Sequence, residues 1–444
     1  MALSGLDIYK LLPKTNCKEC GFATCLAFAM QLAKKAVSID KCPYLSDEAK
    51  RVLSEASLPP MRKVIIGSGE AELVIGGETV MFRHEEKFRH PCGIGFIIDD
   101  NRPDEEIARW VQHINGLDFE RVGERLRVDL AAVRQTGSAD RFAEVARNIY
   151  KETKRALVLV SRDPQAVASA LEVTAAGKPL VFGADEQNFS EMTALCRKHG
   201  VALVLSADDA EKCMRMGEEA RKAGVGDIVF DTREASLSGK IGCFTRLRRL
   251  ALKESDRSAG FPVIAVCEDD DPYEEALGAA TFIAKYAGIV MIRSTQASRV
   301  FSLLTLRQNI YTDPQKPLQI EPMIYEVGPV TEKSPLLITT NFSLSYFTVL
   351  GEVEASKLSA YIMSVDTEGM SVLTAWAAEK FTPERISDSL VRFRAAEKMS
   401  HKTLVLPGYV AVLSGDLQEA SGWNVLVGPK EAAGIPSFLK KLAG

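Results

Sequence analysis

The chain has 444 residues, 46% of them hydrophobic and 26% charged, with a formal net charge of −4. That is more chain than one domain ordinarily uses, in a composition typical of globular proteins. There is no basic excess to mark a nucleic-acid partner, no apolar run near the ~20 residues of a membrane span, and no secretory signal in "MALSGLDIYKLLPK"; no membrane association and a cytoplasmic location are expected.

In chain order, the first feature is "CKECGFATCLAFAMQLAKKAVSIDKCP", residues 17–43, which holds four of the nine cysteines. In a reducing compartment, clustered cysteines point to metal or redox chemistry before disulfides. Cys17, Cys20, Cys25 and Cys42 have the spacing C-x2-C-x4-C-x16-C. Structural zinc usually takes two close pairs. Here three thiols sit in one tight loop and the fourth returns from a distance, which suits a 4Fe-4S cubane with one thiolate per iron. Zinc, or four reduced structural cysteines, is the alternative. Gly21 lets the backbone pass close to a bulky inorganic core, and Pro43 follows the last thiol. The intervening "LAFAMQLAKKAVSI" predicts an amphipathic helix with Leu26, Met30 and Ala33 on one face. Cys92, Cys196, Cys213, Cys243 and Cys267 are scattered in apolar or helical contexts and read as small core residues.

Residues 1–57 form the expected cluster domain, followed by the short tether "LSEASLPP". "KVIIGSGEAELVIGGETVMF" then predicts a hairpin or small meander with Gly76-Gly77 as its turn. Eight apolar runs of strand length follow, at 93–99, 126–134, 156–161, 179–184, 202–207, 227–232, 261–267 and 288–294, alternating with helix-sized segments. Many of those segments open on Asp, Asn, Ser or Pro and several end in Gly. The overall class is α/β, and eight such units predict a (β/α)8 TIM barrel over residues 58–312, with an open doubly wound sheet as the alternative. Barrels place chemistry at strand carboxyl ends. The groups there are Asp99, Asp100, Ser161, Asp185, Ser206, Asp231, Arg233, Glu268, Asp269 and Arg293; the competing reading makes them helix caps. No H-E-x-x-H, P-loop or nucleophile elbow is present, so the barrel also fits a docking scaffold.

Residues 313–334 are rich in Pro and charge and read as a linker. Residues 335–444 predict a smaller α/β domain with four strands in a mostly parallel sheet. Its strand ends carry Thr339 to Phe342, Asp366 to Thr374, Pro407 to Tyr409, and Gly428 and Pro429, with Gly434 to Pro436 beyond. Small, hydroxylated and glycine-rich groups at strand ends suit a large flat ligand carrying many amides; ordinary loop chemistry is the alternative.

The motif "TNCKECGFATCLAFAMQLA", with "LLITTNFSLSYFTV" and "VDTEGMSVLTAWAAEKF" far downstream, resembles the large subunits of corrinoid iron–sulfur proteins of the Wood–Ljungdahl acetyl-CoA pathway. The archaeal relatives are gamma subunits of acetyl-CoA decarbonylase/synthase. The resemblance spans the chain. It implies a methyl carrier with a Rossmann-like corrinoid (cobalamin-type) domain at the rear. There Co(I) would accept a methyl group from methyltetrahydrofolate through a separate methyltransferase, and methyl-Co(III) would pass it to acetyl-CoA synthase. It also implies a heterodimer with a small corrinoid iron–sulfur protein subunit, and a low-potential ferredoxin-type or ATP-dependent reductive activator. By position, the cluster ligands are Cys17, Cys20, Cys25 and Cys42. The implied corrinoid contacts are Thr340, Tyr346, Met370, Ser371, Val372, Leu373, Thr374 and Gly434.

The five histidines, His84, His90, His113, His199 and His401, fit independently. None lies in the D-x-H-x-x-G pattern by which many cobalamin domains ligate cobalt from below, so no lower histidine ligand is expected. Thr374 would lie beneath the metal without coordinating it. Lack of an axial donor eases reduction to Co(I), and the cluster would return electrons lost to oxidation, with the tether letting it approach and withdraw. The alternatives are a barrel methyltransferase that itself binds a methyl-pterin at Asp99, Asp100 or Asp231, and an iron–sulfur electron carrier.

Overall fold

The computed structural model describes residues 5–33, 36–50, 53, 59–234 and 236–443. These form two compact units. One comprises the chain up to 119 with 126–311, the other 120–125 with 312–444. Of the tether, residues 54–58 lie outside the described set. No described helix is long and apolar enough to cross a membrane.

The first unit opens with α1 (Gly5–Leu11) and α2 (Cys25–Ala33). Ile8, Leu12, Cys25, Phe28, Ala29, Cys42 and Leu45 share a small core. The buried stripe of α2 is therefore Cys25, Phe28 and Ala29, spaced i, i+3, i+4 on one face. This corrects the expected stripe: Leu26 and Met30 are 38% and 44% exposed, and Ala33 is exposed too. The inward face is rotated by one residue because the Cys25 side chain must enter the core. The described helix is Cys25–Ala33, and Ile39–Lys41 is a separate 3-10 turn capped by Ser38.

Strands β1 (Lys63–Ile66) and β2 (Leu73–Gly76) form the expected antiparallel hairpin. Its turn, however, lies at 67–72, around a 3-10 turn at Gly69–Ala71. Gly76 and Gly77 turn the chain out of the hairpin instead. Both pairs of glycines offer the same left-handed freedom, so composition alone could not choose between them.

The eight expected barrel strands all form. They are β3 (Gly93–Asp99), then, after a small hairpin of β4 (Asp118–Arg121) and β5 (Glu124–Arg127), β6 (Leu130–Arg134), β7 (Ala156–Val160), β8 (Leu180–Ala184), β9 (Ala202–Ala207), β10 (Ile228–Thr232), β11 (Ile264–Val266) and β12 (Ile289–Ile292). They pair in parallel in the order β10-β9-β8-β7-β6-β3-β12-β11. A parallel bridge between Phe230 and Val263 joins the two ends, with the Phe230 amide donating to the Pro262 carbonyl at 2.8 Å. The barrel is thus nearly closed, rather than an open sheet. Its charged second run divides: 124–127 belongs to the hairpin and only 130–134 to the barrel.

Inside, one residue in two along each strand joins an inner core that includes Ile97, Leu130, Val158, Leu180, Val204, Val229, Ile264 and Ile289. Val64, Ile66, Leu73 and Ile75 of the hairpin belong to that same core and plug the amino-terminal mouth. The alternate residues pack outward against the helices. That two-sided burial is why these strands read as continuous apolar runs.

The second unit is a five-stranded sheet of β13 (Ile324–Val327), β14 (Leu336–Thr340), β15 (Ala360–Val365), β16 (Thr403–Leu406) and β17 (Asn424–Val427), in the order β13-β15-β14-β16-β17. All neighbours are parallel except β13, which runs antiparallel to β15. Part of the stretch read as linker is therefore sheet edge. Its Pro and charged flanks masked a four-residue strand. Helices on both faces give two cores, one holding Ile338, Met363 and Phe381, the other Leu337, Ile362 and Leu439.

Candidate functional site

The cysteine loop comes first in the chain. All four cysteines are free thiols. Cys25 and Cys42 are buried in the small N-terminal core, Cys20 packs partly against it, and Cys17 is exposed. Lys14, Asn16 and Lys18 all take positive φ (59°, 47° and 68°), as does Gly21 at 85°. Such alternation turns backbone N–H groups toward one side, the concavity that receives phosphates and iron–sulfur centres. The Asn16 side chain accepts from the Cys25 amide at 2.8 Å, tying the loop to the start of α2. Tyr44 donates to Glu19 at 2.8 Å, drawing the chain after Cys42 back to the loop. That hydrogen bond pushes the Tyr44 pKa up, with the charge of Glu19 and the nearby Cys17 sulfur adding to it. Among the described residues no three His, Cys, Asp or Glu groups are gathered within metal-binding reach. The donor chemistry and the curled loop fit a cluster. Burial pushes the thiols of Cys196, Cys213 and Cys267 up to about 12 and that of Cys92 higher, so these remain protonated and inert in the core.

At the carboxyl end of the barrel the strand-end groups pair with one another. Arg134 at the end of β6 donates to Asp99 of β3 at 2.6 Å and to Glu268 after β11 at 2.8 Å, and Arg293 after β12 meets the same Glu268 at 2.7 Å. Asp185, 3% exposed, receives both Arg162 and Arg233. Burial pushes its carboxyl up, but the Arg233 hydrogen bond, the Gln187 amide and the two guanidinium charges outweigh that and hold it below the usual range. Ser206 donates to Asp231 at 2.9 Å, and burial holds the Asp231 carboxyl above its ordinary value. Asp100 accepts from the Thr136 and Gly137 amides at 2.8 and 3.0 Å, and Ser161 is bonded to Gln135. Asp269 accepts from the Asp271 amide at 2.9 Å. The helix caps are the residues beyond, such as Asp163, Asp209 and Asp271.

The carboxyl end of the second sheet is different. A cleft of about 360 Å³ opens there. Its walls include Thr339 and Phe342 after β14, Ser345 and Thr348 on the helix Ser343–Ser356, and Ser371 and Val372 after β15. Pro407 and Tyr409 after β16 and Gly428 and Pro429 after β17 complete it. The lining is mostly apolar with a few hydroxyls, the character of a site for a large organic ligand. Gly408 has no room for a side chain: a Cβ there would lie 2.6 Å from the Gly428 carbonyl oxygen and 2.8 Å from the Lys430 amide.

A family model described as CO dehydrogenase/acetyl-CoA synthase delta subunit matches residues 63–439, and a second, for an Fe-S cluster, matches 12–44. The corrinoid/iron-sulfur protein large subunit of Moorella thermoacetica is 40% identical over 441 residues, 99% of each chain. The acetyl-CoA decarbonylase/synthase complex subunit gamma of Methanothermobacter thermautotrophicus is 37% identical over the full length of both. The chain belongs to the corrinoid/iron–sulfur protein large-subunit family. The first model carries a delta-subunit description and begins after the cysteines; the full-length relatives cover them and are large or gamma subunits. Among solved structures, dihydropteroate synthase of Thermus thermophilus is similar over 56% of this chain and all of its own, with TM-score 0.41 and 14% identity.

Within this family member, the eight expected corrinoid contacts divide. Ser371 and Val372 line the cleft. Thr374 is exposed at the start of the helix Val372–Ala377, its hydroxyl 2.9 Å from that of Ser371, and Leu373 is 45% exposed beside it. Gly434 packs on Pro429 of the cleft wall, where a Cβ would meet the proline ring at 2.7 Å. Thr340 is fully buried with its hydroxyl unpartnered. Met370 packs partly against the core, and its carbonyl accepts from Thr367. Tyr346 is 6% exposed, its ring tilted 47° against that of Tyr325 with centroids 4.6 Å apart, and burial pushes its pKa up to about 12. These last three support the cleft from within rather than line it. Ser345 and Thr348 escaped sequence reasoning because strand ends were read and the facing helix was not; their i, i+3 spacing after Phe342 was the available signal.

His401 has both ring nitrogens engaged. Its Nδ1 accepts from the Thr403 amide at 3.2 Å, and its Nε2 donates to the Ser334 carbonyl at 3.0 Å. It precedes β16, at the amino end of the strand, away from the cleft.

Proposed function

We propose that the chain is a methyl carrier of anaerobic acetyl-CoA synthesis, holding a corrinoid at the cleft of its second unit and a 4Fe-4S cluster on Cys17, Cys20, Cys25 and Cys42. When bound, the corrinoid supplies the metal that accepts and releases the methyl group, and the cluster supplies single electrons that restore its reduced form. The observation that carries the reading is an apolar, hydroxyl-rimmed cleft at strand carboxyl ends in a unit whose one histidine is fully engaged elsewhere. The chain's own part is positioning. Phe342, Pro407 and Pro429 exclude water from one side of the ligand, while Thr339, Ser345 and Ser371 offer hydroxyls to its amides. The Ser371–Thr374 hydroxyl pair would help hold the ligand at this wall. Cys17, the exposed thiol, marks the edge of the cluster open to solvent.

The partners this reading requires are a small subunit, a methyltetrahydrofolate-dependent methyltransferase, acetyl-CoA synthase and a low-potential reductive activator, with assembly in the cytoplasm. The barrel is a docking body: Asp99 is held by Arg134 and Asp231 accepts from Ser206, which disfavours a methyl-pterin site at these two groups. Cobalt and iron analysis of anaerobically purified protein tests the reading, together with its visible spectrum. Roughly one cobalt and four iron per chain are expected. Iron without cobalt would leave only an electron carrier and sink the proposal.

A further inference from the structure

Asn341, the residue after β14, is 1% exposed, and every polar atom of its side chain is engaged. Its Oδ1 accepts from the Thr367 amide at 2.9 Å, the Thr367 hydroxyl at 3.1 Å and the Gly369 amide at 3.0 Å. Its Nδ2 donates to Gln319 Oε1 at 3.2 Å and Asp366 Oδ1 at 3.3 Å. The partners on the β15 side all belong to one loop, 366–369, which reverses through left-handed Glu368 (φ 56°) and Gly369 (φ 75°). Two residues on, that loop delivers Ser371 and Val372 to the cleft wall. Only an amide both accepts three donors from the loop and donates toward Asp366; a carboxylate of the same shape accepts only.

We propose that Asn341 is the positioning residue of the corrinoid cleft: it touches no ligand, but its amide sets where the Ser371–Thr374 segment stands and thereby the fit of the corrinoid. This rests on the corrinoid reading of the cleft. In N341D the new oxygen faces Asp366 where an N–H stood, so two carboxylates oppose each other and the loop is pushed away from β14. The loop's remaining charged group, Glu368, pairs with Lys380 beyond the helix that follows. The double variant N341D/D366N restores one donor and one acceptor between the two positions, reversed.

The test is cobalamin titration of the full-length chain, purified with the subunits that accompany it, followed by visible absorption. It is run far below the melting temperature, with the folded fraction checked by circular dichroism, so that a loss of stability alone leaves the dissociation constant unmoved. The expected result for N341D at about pH 8 is a loss of about tenfold or more in affinity. Recovery is expected in N341D/D366N, and in N341D itself near pH 5, where opposed carboxylates share a proton. Affinity within twofold of wild type for N341D at both pH values overturns the proposal. So does an affinity loss that the double variant fails to repair. If wild type itself takes up no cobalamin, the corrinoid reading falls first and the positioning role with it; the failing sample tells the two apart.

Discussion

Two strand-end surfaces in this molecule are built by the same rule and end differently. At the barrel's carboxyl end, Asp99, Arg134, Glu268 and Arg293 form one chain of ion pairs, and Arg162, Asp185 and Arg233 form another. At the second sheet, Thr339, Ser371, Pro407 and Gly428 leave a cleft of about 360 Å³. A parallel sheet offers a ligand site wherever strand ends splay. An organic ligand is favoured where the side chains there are small or apolar rather than engaged in ion pairs. Ion pairs engage Asp99, Asp185 and Glu268 at the barrel mouth, where the cavity that remains, about 290 Å³ beyond β11, is lined by charged groups such as Lys240, Glu268 and Asp269, whereas the cleft of the second sheet is walled mainly by apolar ones.

Four substitutions would break or sharpen this contrast. The largest effect is expected outside both surfaces: Cys20→Ala should abolish the cluster, read as lost iron and lost visible absorption. Methyl transfer by chemically pre-reduced protein should persist, and loss of both would contradict separate roles for cluster and cleft. Next, Thr348→Trp should fill the cleft from its helix wall. Cobalt content should fall by about tenfold or more while the melting temperature holds, as expected at an exposed helical position. Unchanged cobalt would mean that the cleft is not the site.

A smaller effect is expected from Arg233→Met, about 2 kcal/mol for a charge-assisted hydrogen bond to a buried carboxylate. Asp185 has a depressed folded pKa, so its contribution is present above the ordinary carboxylate pKa and is lost as pH falls through the depressed value. With Arg233 gone, acid unfolding should begin at higher pH. The smallest change, Asp231→Asn, should stabilise. Burial raises the Asp231 pKa, so its stabilising share is present at low pH and lost as pH rises through the raised value. Removing the charge should stabilise the fold at neutral pH, with the gain vanishing in acid, and leave methyl transfer unchanged. A loss of activity would instead make the barrel mouth a working site.

Legibility followed physical range. Alternating apolar runs named all eight barrel strands, because strands buried on both faces must be apolar throughout. The short β13 went unread, since an edge strand flanked by Pro and charge carries little pattern. The stripe of α2 was misplaced by one residue, because a cysteine entering a core looks, in sequence, like a cysteine destined only for metal. Of the eight expected corrinoid contacts, Ser371 and Val372 lie on the cleft wall, whereas Tyr346 and Thr340 are buried and do not line it. Asn341 was visible at a strand end, but four of its five side-chain hydrogen bonds depend on a loop 25 residues away coming back to meet it.

The order of the barrel strands, the thiol spacing and the lack of a D-x-H-x-x-G sequence were written in the residues themselves, because they depend on local pattern and on which chemical groups exist at all. Tertiary structure alone decided which strand ends are bridged by ion pairs and which line an apolar cleft. That outcome depends on pairs such as Arg134 with Glu268 and Asn341 with Thr367, which meet only after the chain has folded.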